Sequence, residues 1–246
     1  MIEFRQLFSL PDLEEVLHLQ QTIWSFADIE LLPLRFLVVV TRIGGHVFGA
    51  YDGRAMIGFC FAIPGIKSGG VMYLHSHMLG VLPSYRNEGV GRRLKLMQRE
   101  EALNRGIRLI EWTFDPLELK NAFLNVEKLG AIVRRYTENS YGVTASPLHG
   151  GLPTDRCTAE WWLDSPRVEA ALNGRELAHE AVEHGAAERV AYPAEIAEIR
   201  QSDPARAREI QKSNGLKFRE AFARGLAVTR FVRGANEGAY LLEPWQ

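Results

Sequence analysis

The residues best placed to do chemistry lie between His75 and Lys95. The stretch Pro83-Ser-Tyr-Arg-Asn-Glu-Gly-Val-Gly-Arg-Arg-Leu-Lys follows an apolar, strand-like run, Val71–Val81, and leads into a helical pattern that reaches about Asn104. The first turn of a helix leaves about four backbone N–H groups without intrahelical partners. It also carries roughly half a positive charge. Gly89 and Gly91 lack Cβ atoms there, so an anion can approach the backbone closely. Arg86, Arg92, Arg93 and Lys95 add cationic side chains, and arginine can hold a phosphate through paired N–H donors. The chemistry this spacing allows is binding of a phosphate ester. Taken alone, Gly-x-Gly also fits an ordinary helix cap.

Just upstream, strand alternation places Tyr73, His75, His77, Leu79 and Val81 on one face. Two histidines side by side, titrating near neutrality, can act as a general base. They can equally be hydrogen-bonded core residues. A metal site would need a third ligand, which the spacing does not supply. Glu111 and Asp115 flank Trp112-Thr-Phe on the next strand-like run; Asp115, followed by Pro116, reads as the cap of a helix. Between Thr137 and Arg156 lies a loop with Tyr141, His149, Asp155 and Arg156, long enough to suggest a function. Trp161-Trp162 reads as packing.

Several elements must position these groups. Ile2–Leu7 alternates as a strand, Ser9 opens a helix to about Trp24, and a second helix runs from Pro33 to Arg42. His46–Tyr51 and Arg54–Ile63 form a hairpin across Asp52-Gly53. After the helix ending near Asn104 come a strand at Ile107–Phe114, a helix from Asp115 to Gly130, and strands at Ala131–Tyr136 and Cys157–Leu163. The 246 residues carry a formal net charge of −1 and 46 % hydrophobic residues, ordinary values for a globular chain. The charge balance argues against a nucleic-acid partner. The longest strongly apolar run, Phe36–Val40, is too short for a membrane span. Cys60 reads as a buried thiol, and neither it nor Cys157 has metal-ligand spacing. The expectation is a reduced, cytoplasmic protein.

The turn in its context resembles motif A of the GNAT acyltransferase superfamily. The residues that carry the resemblance are Leu79-Gly80-Val81 at the strand end, then Pro83-Ser84-Tyr85-Arg86, then Arg86-Asn87-Glu88-Gly89-Val90-Gly91. The order of elements over roughly residues 2–163 agrees. The resemblance implies an α+β fold with a mixed, mostly antiparallel central sheet flanked by helices. It implies acetyl-CoA, or another acyl-CoA, as cofactor. Backbone groups of Leu79 and Val81 would pair with the pantetheine arm, and the N–H groups from Arg86, Asn87, Glu88, Gly89, Val90 and Gly91 to Arg92 would cradle the pyrophosphate. The Leu79 N–H would stabilise an oxyanion, and Asn121 would line the thiol end. Within this reading His75 or His77 takes a proton from the acceptor amine. Glu111 faces that amine or solvent. Tyr136 or Tyr141 stands in for the tyrosine that many relatives use to protonate the leaving thiolate, or solvent protonates it. The position of that tyrosine is Val126 here.

Residues 1–164 form the expected acyl-CoA-binding domain. Residues 165–246 form a smaller α+β extension: a short helix from Ser165-Pro166, a polar segment Glu176–Glu188, strands at Arg189–Tyr192, Leu226–Val232 and Ala239–Leu242, and a helix from Asp203-Pro204 to about Arg224. That helix presents Ala207, Ile210, Leu216, Phe218 and Phe222, with a break at Gly215; it caps the sheet, builds a small domain, or makes a homodimer contact. Three functions stay open on the sequence. They are an N-acyltransferase acting on a small-molecule or peptide amine, a non-catalytic acyl-CoA-binding protein, and an interaction module with no coenzyme.

Overall fold

The structure is a computed structural model that describes residues 1–26, 28–142, 150–175, 177 and 187–245. His149 and most of the polar segment 176–188 lie outside the described residues. Contacts divide the chain into two compact units, Met1–Trp112 and Thr113–Gln246.

In the first unit the strands are β1 (Ile2–Gln6), β2 (His46–Asp52), β3 (Ala55–Ile66), β4 (Met72–Val81) and β5 (Leu109–Phe114), whose last residues cross into the second unit. They are ordered β1-β2-β3-β4-β5. The first four are antiparallel, and β5 joins parallel to β4. Helix α1 (Leu10–Trp24) starts where the sequence signal places it. Ser9 accepts a hydrogen bond from the Asp12 N–H, and Ser25 ends the helix in the left-handed region. Helix α2 (Leu34–Arg42) follows Pro33. Leu13, Val16, Leu37 and Val40 from these helices bury against Phe59 and Phe61 on one face of the sheet. Helix α3 (Val90–Asn104) covers the other face, where Val90 and Leu94 meet Phe48, Ala50, Ile57 and Cys60. The sheet therefore has a dry side toward α1 and α2 and a second, separate dry side toward α3.

The second unit is also α+β. Its helices are α4 (Leu119–Phe123), which continues as a π-helical turn at Leu124–Lys128, α5 (Pro166–Leu172), α6 (Ile196–Ser202) and α7 (Pro204–Ala223). Its further strands are β6 (Ile132–Thr137), β7 (Arg156–Trp162), β8 (Glu188–Pro193), β9 (Leu226–Arg233) and β10 (Glu237–Pro244). β6 pairs antiparallel with β7 and, at Val133↔Val228, with β9; β10 pairs with both β9 and β8. The chain beyond residue 164 therefore extends the sheet that holds β6 instead of forming a body of its own. The break in packing falls at Trp112/Thr113 and not at the expected boundary after 164.

Several local expectations change. The helix expected from Asp115 starts only at Leu119. The Asp115 carboxylate accepts from the Leu117 N–H at 2.9 Å and from Arg200 Nη1 at 2.8 Å, so it braces a turn instead of capping the helix. Helix α6 has no counterpart in the sequence reading. In α7 the buried face is Ala207, Gln211, Asn214, Gly215, Phe218 and Ala221, while Leu216 is exposed. Gly215 does not break the helix. A Cβ there would come within 2.7 Å of Tyr136 Oη, so the missing side chain lets α7 lie close to β6.

Candidate functional site

The turn before α3 has the features that an anion site needs. Asn87 and Gly89 both sit at positive φ, 68° and 81°. Gly89 occupies the N-cap position, and no side chain caps the helix. The first intrahelical bond runs from the Arg93 N–H to the Gly89 carbonyl at 2.9 Å. A Cβ at Gly89 would meet nothing within 4 Å, so open space faces this terminus. At Gly91 a Cβ would lie 3.3 Å from Leu79 Cδ2 and 3.8 Å from Val81 Cγ2, which brings the helix start onto the end of β4. Arg86 folds back, its Nε donating to the Val81 carbonyl at 3.2 Å, and Tyr85 hydrogen-bonds Asp52 at 2.9 Å. Arg86, Asn87, Glu88 and Gly89 are exposed. An uncapped, glycine-lined helix start with a braced entry fits the pyrophosphate of a coenzyme A thioester.

β4 is irregular at the decisive place. Phe61 pairs with Met78 and Ala62 with Ser76, so His77 is an extra residue, a β-bulge. The bulge resets the alternation. Ser76 faces α3, where its Oγ accepts from Lys95 Nζ at 2.7 Å, and Leu79 and Val81 also pack on the α3 side. His75 and His77 lie on the opposite side, their ring centroids 5.7 Å apart and His77 5.4 Å from Phe61. The expected single face of Tyr73, His75, His77, Leu79 and Val81 is thus two faces. The histidines do stand together, but away from the side chains of Leu79 and Val81. The parallel ladder between β4 and β5 covers Leu74↔Ile110 and His75↔Glu111. Among the described residues it goes no further, so the β4 backbone from Ser76 to Val81 is not part of that ladder.

His77 is exposed, yet the chain around it disfavours the imidazolium and lowers its pKa. Glu111 is 3 % exposed and ion-paired with Lys67, so it does not face solvent. In the second unit, the Tyr141 hydroxyl shares a hydrogen bond with Thr113 Oγ1 at 2.8 Å, and the ring itself is exposed. Tyr136 donates to Asp155 at 2.5 Å, and burial together with that carboxylate raises its pKa. A phenol so held is a poor proton donor. Val126 is fully buried in the π-helical turn, and Asn121 is exposed on α4. Trp161 is buried with its indole N–H on the Leu129 carbonyl, as expected of a packing residue, whereas Trp162 is exposed and does not pack as expected.

Lys95 departs furthest from its expected place among the cations of the turn. It is 4 % exposed, its Nζ 3.6 Å above the Trp112 ring, under α3. Burial pushes its pKa down to about 7. The signal was in the helical spacing: Gly91, Lys95, Gln98 and Ala102 recur at 3–4 residues on the inward face. Nearby, His46 is buried with its Nδ1 2.8 Å from Glu101, and burial lowers its pKa.

The α+β architecture with an uncapped glycine turn between β4 and α3 agrees with the fold that the motif resemblance implies. Residues 44–129 match the family model for the acetyltransferase (GNAT) domain. Among solved structures, similar folds include the ribosomal-protein-S18-alanine N-acetyltransferase of Escherichia coli. It shows 18 % identity and a TM-score of 0.52 over 67 % of this chain and 96 % of that one. NAA60 of Arabidopsis thaliana, solved with a bisubstrate analogue, shows 17 % identity and a TM-score of 0.54 over 66 % and 98 %. yncA of Salmonella typhimurium, solved with its cofactor acetyl-CoA, shows 16 % identity and a TM-score of 0.54 over 67 % and 95 %. About a third of this chain lies outside each of these matches. A comparison with curated protein sequences finds no match. No helix among the described residues is long and apolar enough to cross a membrane.

Proposed function

We propose that the chain is an N-acyltransferase that moves an acyl group from acyl-CoA to an amine, small-molecule or peptide, by direct attack in a ternary complex. The uncapped start of α3 at Gly89–Gly91, set against the end of β4, carries this reading. The thioester would bring an acyl group already activated for transfer. The N–H groups around Gly89 and Gly91 bind the pyrophosphate, and Arg86, braced on Val81, keeps the turn in shape. The β4 backbone at Leu79 and Val81 receives the pantetheine arm as an added strand. The Leu79 N–H stabilises negative charge on the carbonyl oxygen in the transition state. His77, neutral at physiological pH, accepts the proton of the attacking amine, with His75 beside it. The cofactor role of Asn121 rests on the resemblance alone.

Calorimetric titration of acetyl-CoA into wild type and a Gly89→Glu, Gly91→Glu double variant tests the cofactor site. The expected result is micromolar binding to wild type and a loss of about a hundredfold or more in the folded variant, whose carboxylates block and repel the phosphates. Wild type that fails to bind acetyl-CoA would remove the reading and favour an interaction module.

Val126 supports a second reading, a non-catalytic acyl-CoA-binding protein, because no tyrosine stands where the thiolate would be protonated. An amine screen separates the two: acetyl-CoA binding with no amine-dependent release of free thiol supports the second.

A further inference from the structure

The polar cluster beneath α3 holds more hydrogen-bond donors than acceptors. Lys95 Nζ has three N–H groups. One goes to Ser76 Oγ, and the ammonium otherwise rests on the face of Trp112. Ser76 in turn donates to Gln98 Oε1 at 2.8 Å. Gln98 is fully buried, and its Nε2 has no hydrogen-bond partner. Among the described residues no carboxylate pairs with Lys95. The Cys60 thiol, its near titratable neighbour, is held neutral by burial, its pKa pushed up to about 12. A buried ammonium without a counter-charge is unfavourable, and an orphaned amide donor beside it adds to the deficit. Both are relieved by one acceptor group with negative charge.

The cluster lies where an acyl group would arrive. Ser76 is the first β4 residue beyond the last β4–β5 pair, and Trp112 is the first on β5. Ser76 shares the α3 side with Leu79 and Val81, so β4 leads from the start of α3 through Val81 and Leu79 to Ser76 and ends at Lys95.

We infer that Lys95 and the Gln98 amide receive a carboxylate at the far end of the acyl group, so that the preferred donor is the coenzyme A thioester of a short dicarboxylic acid instead of acetyl-CoA. The inference rests on the acyl-CoA reading above and names the acyl class for the same site. Calorimetry with coenzyme A, acetyl-CoA and succinyl-CoA tests it on wild type, Lys95→Met and Gln98→Leu. Wild type should bind succinyl-CoA about tenfold or more tighter than acetyl-CoA, the scale of one charge-assisted hydrogen bond. Lys95→Met should erase that preference while leaving acetyl-CoA affinity in place, and Gln98→Leu should reduce it. The Gln98 variant carries the test if Lys95→Met does not fold. Equal affinities in wild type, a preference that survives both substitutions, or an equal loss for acetyl-CoA and succinyl-CoA in Lys95→Met would overturn it. If acetyl-CoA and coenzyme A bind wild type but succinyl-CoA gains nothing, only this inference falls. If none of the three binds, the acyl-CoA reading itself falls.

Discussion

At the scale of single residues, Lys95 makes the largest electrostatic demand on the first unit. Its pKa is about 7 in the folded chain against 10.5 for an unhindered lysine. Below pH 7 both folded and unfolded chains hold the proton, and folding bears the whole cost of burying it. Between pH 7 and 10.5 the unfolded chain binds a proton that the folded chain lacks, so this group's contribution to stability improves as pH rises. The shift corresponds to a few kcal/mol at most. Lys95→Met, similar in length and able to fill the same space, should therefore be more stable than wild type at pH 7, with an advantage that shrinks by pH 10. Chemical denaturation at both pH values measures it. The neighbouring titratable groups, Cys60 and His46, are present in both proteins. A constant difference between the variants would show that Lys95 is solvated in solution.

The strand β4 and the helix α3 set the scale of elements. The turn was readable in the sequence because its logic is local: Gly89 needs positive φ, Gly91 needs close approach, and both follow from residue type and spacing. The hairpin at Asp52-Gly53 and the Ser9 cap were readable for the same reason. The bulge at His77 was not, because an extra residue shows only once β4 is paired with β3, and strict alternation from Tyr73 to Val81 fails there. The sequence likewise left Glu111 facing either the acceptor amine or solvent, since its partner Lys67 is distant along the chain. The helix expected from Asp115 failed because that carboxylate is taken by Arg200, a tertiary contact no local rule contains. The bulge also makes a prediction. If His77 is the base, the acidic limb of the pH–rate profile with a turned-over amine should titrate below 6.5, the sense in which desolvation moves it. In His77→Ala that limb should vanish and the rate should fall about a hundredfold or more. A variant with the wild-type limb would exclude His77 as the base.

Over the whole molecule, the acyl-CoA domain was expected to end at residue 164, but β9 pairs with β6 at Val228↔Val133, both fully buried. Cutting the chain after 164 removes β8, β9 and β10 and leaves β6 with an unpaired, apolar edge, which favours aggregation. Residues 1–164 should be recovered mainly as aggregate, or unfold well below the full chain in a thermal melt. A monomeric fragment with a cooperative melt like that of the full chain would restore the boundary at 164. The extra residue in β4 has one more consequence. Because it turns the histidines toward α1 and α2 while Ser76, Leu79 and Val81 stay toward α3, the two walls share almost no side chains. Under the proposed function, substitutions that retune which amine is accepted can accumulate on the histidine wall without disturbing the wall proposed to hold the acyl donor.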